Sequence, residues 1–384
     1  MSKLEQLIEE LCPDGVEIEW KTLGEVTEIK TGQAVNKQMI SSNPGEYPVI
    51  NSGREPLGFI NKWNTDNDPI GITTRGAGVG SITWQNGKYF RGNLNYSVSI
   101  NDNQKVIIRY LYHLLLQMQF DIQALCTFDG IPALNAGNLK ELQIPLPPLP
   151  VQREIVRILD NFTELTAELT AELTAELEDR KKQYEYYRDS LLSFGDEVEW
   201  KKIKDVFQRI KGTSITASKM KEIATDTGEI RIFAGGKTVI NAKEKDIENA
   251  NITKVPSVLV QSRGIIDVLY YEKPFTFKNE MWAYTTNEKI TVKYLYYILK
   301  KSIYYFRNSA SSMGSLPQIS LTVTEDYKIP LPPLEEQKRI VDILDRFDTL
   351  CNDISKGLPA EIEARKKQYE YYRDKLLIFK KKEV

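Results

Sequence analysis

Residues 144–165 read IPLPPLPVQREIVRILDNFTEL, and residues 329–350 read IPLPPLEEQKRIVDILDRFDTL, with 14 of 22 positions identical. A second pair, residues 178–194 (EDRKKQYEYYRDSLLSF) and 363–379 (EARKKQYEYYRDKLLIF), agrees at 14 of 17 positions. Both pairs are offset by 185 residues. Because the offset is constant, nothing was inserted between the two blocks in either copy, and the 384-residue chain is a tandem duplication.

Weaker landmarks extend the repeat into the segments between these blocks. RYLYHLL at 109–115 parallels KYLYYIL at 293–299, and Ile131-Pro132 parallels Leu316-Pro317. Each unit is therefore a variable segment followed by a repeated one. The boundaries that we predict are an N-terminal helix at 1–13, a first variable domain at 14–143, a central helical spacer at 144–195, a second variable domain at 196–328 and a distal helical spacer at 329–384.

The repeated blocks predict long helices. The first block of each copy begins with a proline-rich segment, which is not expected to be helical. Apolar residues then recur at helical spacing, as in Ile155, Ile158, Leu159 and Phe162. Nothing interrupts the first helix from about Val151 to Phe194. In the second copy Gly357 and Pro359 predict a break or kink, because proline removes a helical hydrogen bond and clashes with the preceding turn.

The first helix contains three tandem T-A-E-L units at 166–177. Four residues advance a helix by one turn plus about 40°, so the leucines predict a slowly winding apolar ridge; they are Leu165, Leu169, Leu173 and Leu177. Perfect tandem identity favours a spacer whose length can change. Two such ridges are best buried against each other, which predicts an antiparallel coiled coil with pseudo-twofold symmetry.

The variable segments mix β-rich stretches, such as 81–84 and 257–261, with Gly, Asn and Pro turns. We therefore predict an α+β fold, in which two globular domains are joined by two long helices packed as an antiparallel coiled coil.

Composition excludes several classes of protein. The chain is 41% hydrophobic and 27% charged, and no apolar run approaches the roughly 18 residues of a membrane span. Its acidic start does not resemble a signal peptide, which indicates a cytoplasmic protein without a membrane anchor. Three distant cysteines favour reduced thiols, and a single histidine, His113, excludes most histidine-dependent catalysis and histidine-rich metal sites.

No active site is evident. The motif Gly235-Gly236-Lys237-Thr238 ends like a phosphate-binding loop, but Arg231 occupies the position where the first glycine is required. The glycine-rich stretch 75–80 lacks dinucleotide-binding spacing and is better interpreted as a turn that presents Arg75.

Charge divides unevenly between the variable segments. Residues 14–143 hold 11 Lys and Arg against 13 Asp and Glu, and residues 196–328 hold 21 against 16, for net charges of −2 and +5. Neither value favours nonspecific binding through phosphate neutralisation. Specific base reading by a few side chains remains possible. The candidates are Arg54, Arg75, Arg91, Asn93, Lys237, Arg263, Lys278 and Asn279; for any single one of them, an ordinary surface or turn residue is the favoured interpretation.

The repeated helices carry a second set of candidates. Each copy has a basic run followed by tyrosines, which is either a solvated face with tyrosines packing on the coil or one of two equivalent sites for two copies of a partner. The candidates are Arg180, Lys181, Lys182, Tyr184 and Tyr187 in the first copy, and Arg365, Lys366, Lys367, Tyr369 and Tyr372 in the second.

Together these blocks, the T-A-E-L repeats and the opening LCPDGVEIEWKTLGEV at 11–26 closely resemble the specificity subunit of type I restriction-modification enzymes over essentially the whole chain. The resemblance implies a non-catalytic subunit that binds double-stranded DNA, with each variable domain reading half of a split asymmetric target. It also implies that the helices set the gap and dock two modification (methyltransferase) subunits. Restriction (ATP-dependent nuclease and translocase) subunits complete such complexes, so S-adenosylmethionine, ATP and Mg²⁺ would belong to partners.

The residues themselves establish less than this resemblance. They indicate a duplicated, two-headed binding protein with a helical spacer. A scaffold that joins two protein partners, and an enzyme whose site spans both halves, remain alternatives.

Overall fold

The computed structural model describes residues 18–53, 55–128, 130–235, 238–311, 316–353 and 356–379. The helix predicted at 1–13 lies outside the described residues. The chain forms two compact units, one of Met1–Glu172 with Ile362–Val384 and one of Leu173–Glu361. Each unit holds one variable segment together with parts of both repeated helical regions.

The first unit is built from short strands and helices. Its strands are β1 (Glu19–Thr22), β2 (Thr27–Thr31), β3 (Tyr47–Ile50), β4 (Phe59–Ile60), β5 (Ile70–Thr73), β6 (Ile82–Trp84), β7 (Phe90–Arg91), β8 (Asn95–Ile100) and β9 (Gln143–Leu146). Its helices are α1 (Leu23–Val26), α2 (Lys37–Ser42), α3 (Ile108–Gln117), α4 (Gln119–Ala124) and α5 (Ala136–Lys140), followed by the start of α6 (Leu149–Leu191).

The second unit repeats this order after the end of α6. Its strands are β10 (Trp200–Lys202), β11 (Gln208–Ile210), β12 (Ile230–Phe233), β13 (Val239–Ala242), β14 (Ser257–Gln261), β15 (Asp267–Tyr271), β16 (Phe275–Phe277), β17 (Met281–Thr285) and β18 (Lys328–Pro330). Its helices are α7 (Ile203–Val206), α8 (Ala217–Ile223), a 3₁₀ turn (Glu244–Asp246), α9 (Lys289–Lys301), α10 (Ile303–Asn308), α11 (Leu321–Glu325) and α12 (Leu334–Asn352), and α13 (Leu358–Leu377) follows.

The two units have the same sheet topology. Each has a central antiparallel sheet, ordered β2-β8-β5-β6 in the first and β11-β17-β14-β15 in the second. Each also has a mixed three-stranded sheet, β4-β3-β7 or β13-β12-β16, and a ribbon, β1-β9 or β10-β18. The strands predicted near 81–84 and 257–261 are β6 and β14. The α+β prediction is therefore confirmed, and divergent sequences share one frame.

One helix packs in the core of each unit because its apolar residues recur on one face. The buried residues are Tyr110, Leu111, Leu114 and Leu115 on α3, and Tyr294, Leu295, Ile298 and Leu299 on α9. Full burial of each such side chain stabilises the fold by roughly 1.5–3 kcal/mol. These residues are the RYLYHLL and KYLYYIL landmarks, so the weak repeat marks the core.

The long helices form as the sequence predicts. Helix α6 runs unbroken for 43 residues, while the distal region divides into α12 and α13. The division contains Gly357, where a Cβ would lie 2.5 Å from the carbonyl oxygen of Thr349 and 2.6 Å from that of Leu350. Only glycine fits there without displacing the backbone of α12.

The helices pack antiparallel within each unit. In the first, the Phe162 ring stacks on Tyr372 at 5.3 Å, and the Thr163 hydroxyl donates to the Tyr369 hydroxyl at 3.2 Å. In the second, Tyr187 stacks on Phe347 at 5.4 Å.

In the T-A-E-L ridge three leucines are half-buried, but Leu165 is 61% exposed. The ridge is therefore partly buried from its second leucine onward and exposed at its first. No described helix is long and apolar enough to cross a membrane.

Candidate nucleic-acid interface

Each central sheet leads into an exposed arginine followed by a glycine. Arg75-Gly76 follows β5, and Arg263-Gly264 follows β14. The glycines have φ of +95° and +76°, a region that other residues rarely adopt, so the chain turns sharply just after each arginine. Among the described residues neither guanidinium has an ion pair or a side-chain hydrogen bond. Both are available to bind phosphate or the O6 and N7 atoms of guanine.

An exposed asparagine lies close to each arginine. Asn93 lies in a tight turn before β8, in which Asn95 N–H donates to the Gly92 carbonyl at 3.2 Å. Asn279 lies in the corresponding turn before β17, in which Met281 N–H donates to the Lys278 carbonyl at 2.9 Å. In the first unit, Thr74 N–H donates to the Leu94 carbonyl at 3.0 Å, which holds this turn beside the arginine. Asparagine can hydrogen-bond adenine through two atoms at once. The fold therefore gathers four of the predicted residues into two equivalent pairs.

Arg91 is located differently from the other predicted arginines. Its side chain is 3% exposed, and its Nη1 atom donates to Asn95 Oδ1 at 2.6 Å and to the Tyr96 carbonyl at 2.9 Å. Its Nη2 atom donates to the Asp68 carbonyl at 2.8 Å. Burial lowers the pKa of Arg91, although an arginine keeps its charge at any ordinary pH. Burial removes Arg91 from the surface on which DNA contact was predicted, and its bonds instead hold the loop at Asp68.

The remaining predicted residues are placed less favourably. Lys278 forms an ion pair with Glu280 at 3.1 Å and borders a cleft of about 610 Å³ that Arg263 and Leu316 also line. Arg54 and Lys237 lie outside the described residues. Sequence reasoning missed the segment beside each arginine, which contains the Ile-Pro or Leu-Pro landmark. That recurrence was visible in the sequence, but its position was not.

An ionic cluster joins each core helix to the coil. In the first unit Asp160 Oδ1 accepts from Arg109 Nε and from His113 Nε2, both at 2.8 Å. Burial lowers the pKa of His113, and the hydrogen bond to Asp160 only partly opposes that effect. In the second unit Asp345 Oδ1 forms an ion pair with Lys293 Nζ at 3.3 Å and accepts a hydrogen bond from the hydroxyl of Tyr297. The only histidine is thus part of the packing between helix and coil.

The described residues contain no group of three or more His, Cys, Asp or Glu that could hold a metal ion.

The tyrosines predicted to dock a partner contact the coil, and two of them are also exposed, Tyr187 at 44% and Tyr372 at 37%. Tyr184 and Tyr187 lie against Phe347, and Tyr369 and Tyr372 lie against Thr163 and Phe162. Their neighbours Tyr186 and Tyr371 are more exposed, at 70% and 62%.

The basic residues beside these tyrosines have acidic or amide neighbours on the same helix. The contacts are Arg180 with Glu176, Lys182 with Asp179, Arg365 with Gln368 and Lys367 with Glu363. Lys181 and Lys366 are exposed. The lysines of both basic runs are therefore exposed, whereas Arg180 and Arg365 are half-buried.

Comparison with known proteins gives a consistent assignment. The family described as type I restriction modification DNA specificity domain matches residues 15–179 and 195–364. The EcoR124I/EcoR124II specificity subunit of Escherichia coli is 34% identical, over 100% of this chain and 98% of that protein. A putative type I restriction enzyme specificity subunit of Haemophilus influenzae is 32% identical, over 98% of both chains.

Two solved structures share the fold. The S subunit of a type I restriction-modification system from M. genitalium aligns with a TM-score of 0.55 and 20% identity, over 95% of this chain and 97% of that one. A chain from a study of complex assembly and conformational transition in the type I restriction-modification system aligns with a TM-score of 0.63 and 16% identity, over 94% and 97%.

Proposed function

Because the chain belongs to the DNA specificity subunits of type I restriction-modification systems, we propose that each variable domain reads one half of a bipartite, asymmetric DNA target. The observation that carries this proposal is the duplicated pair Arg75 with Asn93 and Arg263 with Asn279. Both pairs occupy the same topological positions on otherwise different surfaces. Two domains that share a fold but differ in their surface side chains are expected to recognise two different DNA sequences.

The charge balance supports reading of bases over general attraction to DNA. The variable segments carry net charges of −2 and +5, so neutralisation of phosphates supplies little of the affinity. Each good bidentate contact of arginine with guanine, or of asparagine with adenine, contributes about 1–3 kcal/mol of discrimination. A few such contacts in each domain are enough to specify a short half-site.

We place the chemistry in partner subunits. Helices α6, α12 and α13 would set the gap between half-sites and dock two modification subunits, with restriction subunits completing the complex. S-adenosylmethionine, ATP and Mg²⁺ would be bound by those partners. The support for this placement is the family to which the chain belongs.

For docking, Tyr186 and Tyr371 offer more exposed surface, at 70% and 62%, than Tyr187 and Tyr372, at 44% and 37%. Each contacts the ring of that neighbour at 5.5 Å, so the two tyrosines of each copy form one exposed aromatic patch. Equivalent positions in two copies suit two molecules of the same partner. Loss of one bound modification subunit in Tyr186→Ala, and of the other in Tyr371→Ala, would support this arrangement.

Methylation mapping tests DNA reading directly. The complex of this chain with its modification subunits is expressed, and methylated sites are mapped for the wild type, Arg75→Ala and Arg263→Ala. Each substitution should relax one position of one half-site by about 10–100-fold, which corresponds to about 1–3 kcal/mol. Exchange of residues 20–140 for those of another such domain should change the same half as Arg75→Ala.

Lys105→Ala is the matched control, because its side chain is 62% exposed and lies on the first domain away from the pair. It should leave both half-sites unchanged. If the complex shows no sequence preference, a protein scaffold replaces the proposed function. If each arginine variant alters both halves together, the domains are not independent readers.

A further inference from the structure

A short tongue of chain borders each Arg-Gly pair. The first tongue comprises the described residues 127–128 and 130–133, in which Thr127 and Ala133 exchange backbone hydrogen bonds at 2.9 and 3.1 Å. The second tongue comprises the described residues 311 and 316–318, in which Ser311 and Gln318 exchange them at 2.9 and 3.2 Å. The same backbone pairing therefore occurs in both units, although the two segments share little sequence.

Each tongue pairs with the strand that carries the arginine. Arg75 is the antiparallel bridge partner of Ala133, and Arg263 is that of Gln318. Gly76 N–H donates to the Pro132 carbonyl at 3.0 Å, and Gly264 N–H donates to the corresponding proline carbonyl at 2.8 Å. Directly opposed residues on antiparallel strands project from the same face, with Cβ atoms about 4.5–5.5 Å apart. Gln318 thus stands next to Arg263 on one surface.

The two units differ at this position. Ala133 has no polar side-chain atom, whereas Gln318 is exposed and its amide has no hydrogen-bond partner among the described residues. Glutamine, like asparagine, can bond adenine through two atoms. The second unit therefore presents asparagine, arginine and glutamine on three adjacent segments, and the first presents only asparagine and arginine.

The tongues also expose apolar residues. Ile131 is 59% exposed and Leu316 is 50% exposed, each immediately before the proline. Single exposed apolar residues are common on protein surfaces, but these two occupy equivalent positions beside an arginine that has no ion pair or side-chain hydrogen bond among the described residues. If the arginine contacts DNA as proposed, the tongue beside it lies at the same DNA.

We propose that the tongue position opposite the arginine is a specificity-determining residue, and that Gln318 reads a base in the second half-site for which the first domain has no counterpart. This inference rests on the proposed function. Neighbouring strands are about 4.8 Å apart and base pairs about 3.4 Å, so Gln318 would contact a base pair one or two steps from the one that Arg263 reads.

The test uses the complex with modification subunits and maps methylated positions for the wild type, Gln318→Ala and Gln318→Glu. Gln318→Ala should relax discrimination by about 10–100-fold at one position of the second half-site. Gln318→Glu, which keeps the length of the side chain, should move the preference at that position toward cytosine, whose amino group donates to a carboxylate. The first half-site should stay unchanged in both variants.

Gln208→Ala is the matched control, since Gln208 is an exposed glutamine of the same domain on β11. In the first domain, Ala133→Gln should add discrimination at one position of the first half-site. Unchanged base preferences in both Gln318 variants, while Arg263→Ala still relaxes the second half-site, would overturn this inference and leave the proposed function standing. Absence of sequence preference in the wild-type complex would overturn both.

Discussion

Deletion of one T-A-E-L unit, residues 170–173, should change the gap between half-sites without changing the half-sites. The deletion removes four of the 43 residues of α6, which shortens the helix by about 6 Å at 1.5 Å per residue. The distal region, α12 and α13, keeps its length. If the distal region does not deform, the gap is unchanged. If it deforms enough to match the shortened α6, the gap shortens by about 6 Å.

An even compromise is about 3 Å, close to one base-pair rise of 3.4 Å. We therefore expect the deletion variant to recognise the same half-sites with a gap one base pair shorter. Insertion of a fourth T-A-E-L unit should lengthen the gap by one base pair. Because the repeat turns a helix only about 40° beyond a full turn, the half-buried face of the ridge is largely preserved.

Genome-wide mapping of methylated positions in cells that carry the wild type, the deletion and the insertion measures both the half-sites and the gap. Thr170→Ala, which keeps the length of the helix, should leave the gap unchanged. If the gap stays the same in both length variants, or if half-site bases change while the gap does not, the hypothesis that the T-A-E-L repeat sets the gap is refuted.

Two further predictions concern the first unit. Burial lowers the pKa of His113 below its value in the unfolded chain, so the unfolded state binds more protons and stability is lost as the pH falls below about 6.5. For one proton, the free energy of unfolding cannot change by more than about 1.4 kcal/mol per pH unit. Thermal melts at pH 5.5–7.5 should show this loss of stability. His113→Tyr, which introduces the residue found at the equivalent position 297 of the second unit, should reduce the pH dependence. Residues 1–195 alone should form a dimer, because Tyr187 of a second copy can replace the stacking partner of Phe162; light scattering that gives a monomer mass would contradict this.

The sequence alone determined the duplication, the extent of α6 and the break near Gly357. These features depend on local information. Apolar spacing specifies a helix, glycine and proline end it, and an exact repeat specifies a shared frame whatever lies between. The same periodicity could have separated the half-buried Tyr184 and Tyr369 from the exposed Tyr186 and Tyr371, but only with knowledge of which face meets the other helix.

Tertiary structure decided which candidate side chains face outward. Arg75 and Arg91 are both followed by glycine, yet one is exposed and the other is buried, because Asp68, 23 residues earlier in the chain, accepts a hydrogen bond from Arg91. Gln318 stands beside Arg263 across 55 residues of sequence because their backbones form a bridge. Pairing between distant segments depends on the packing of the whole domain, so side-chain type and local pattern do not reveal it.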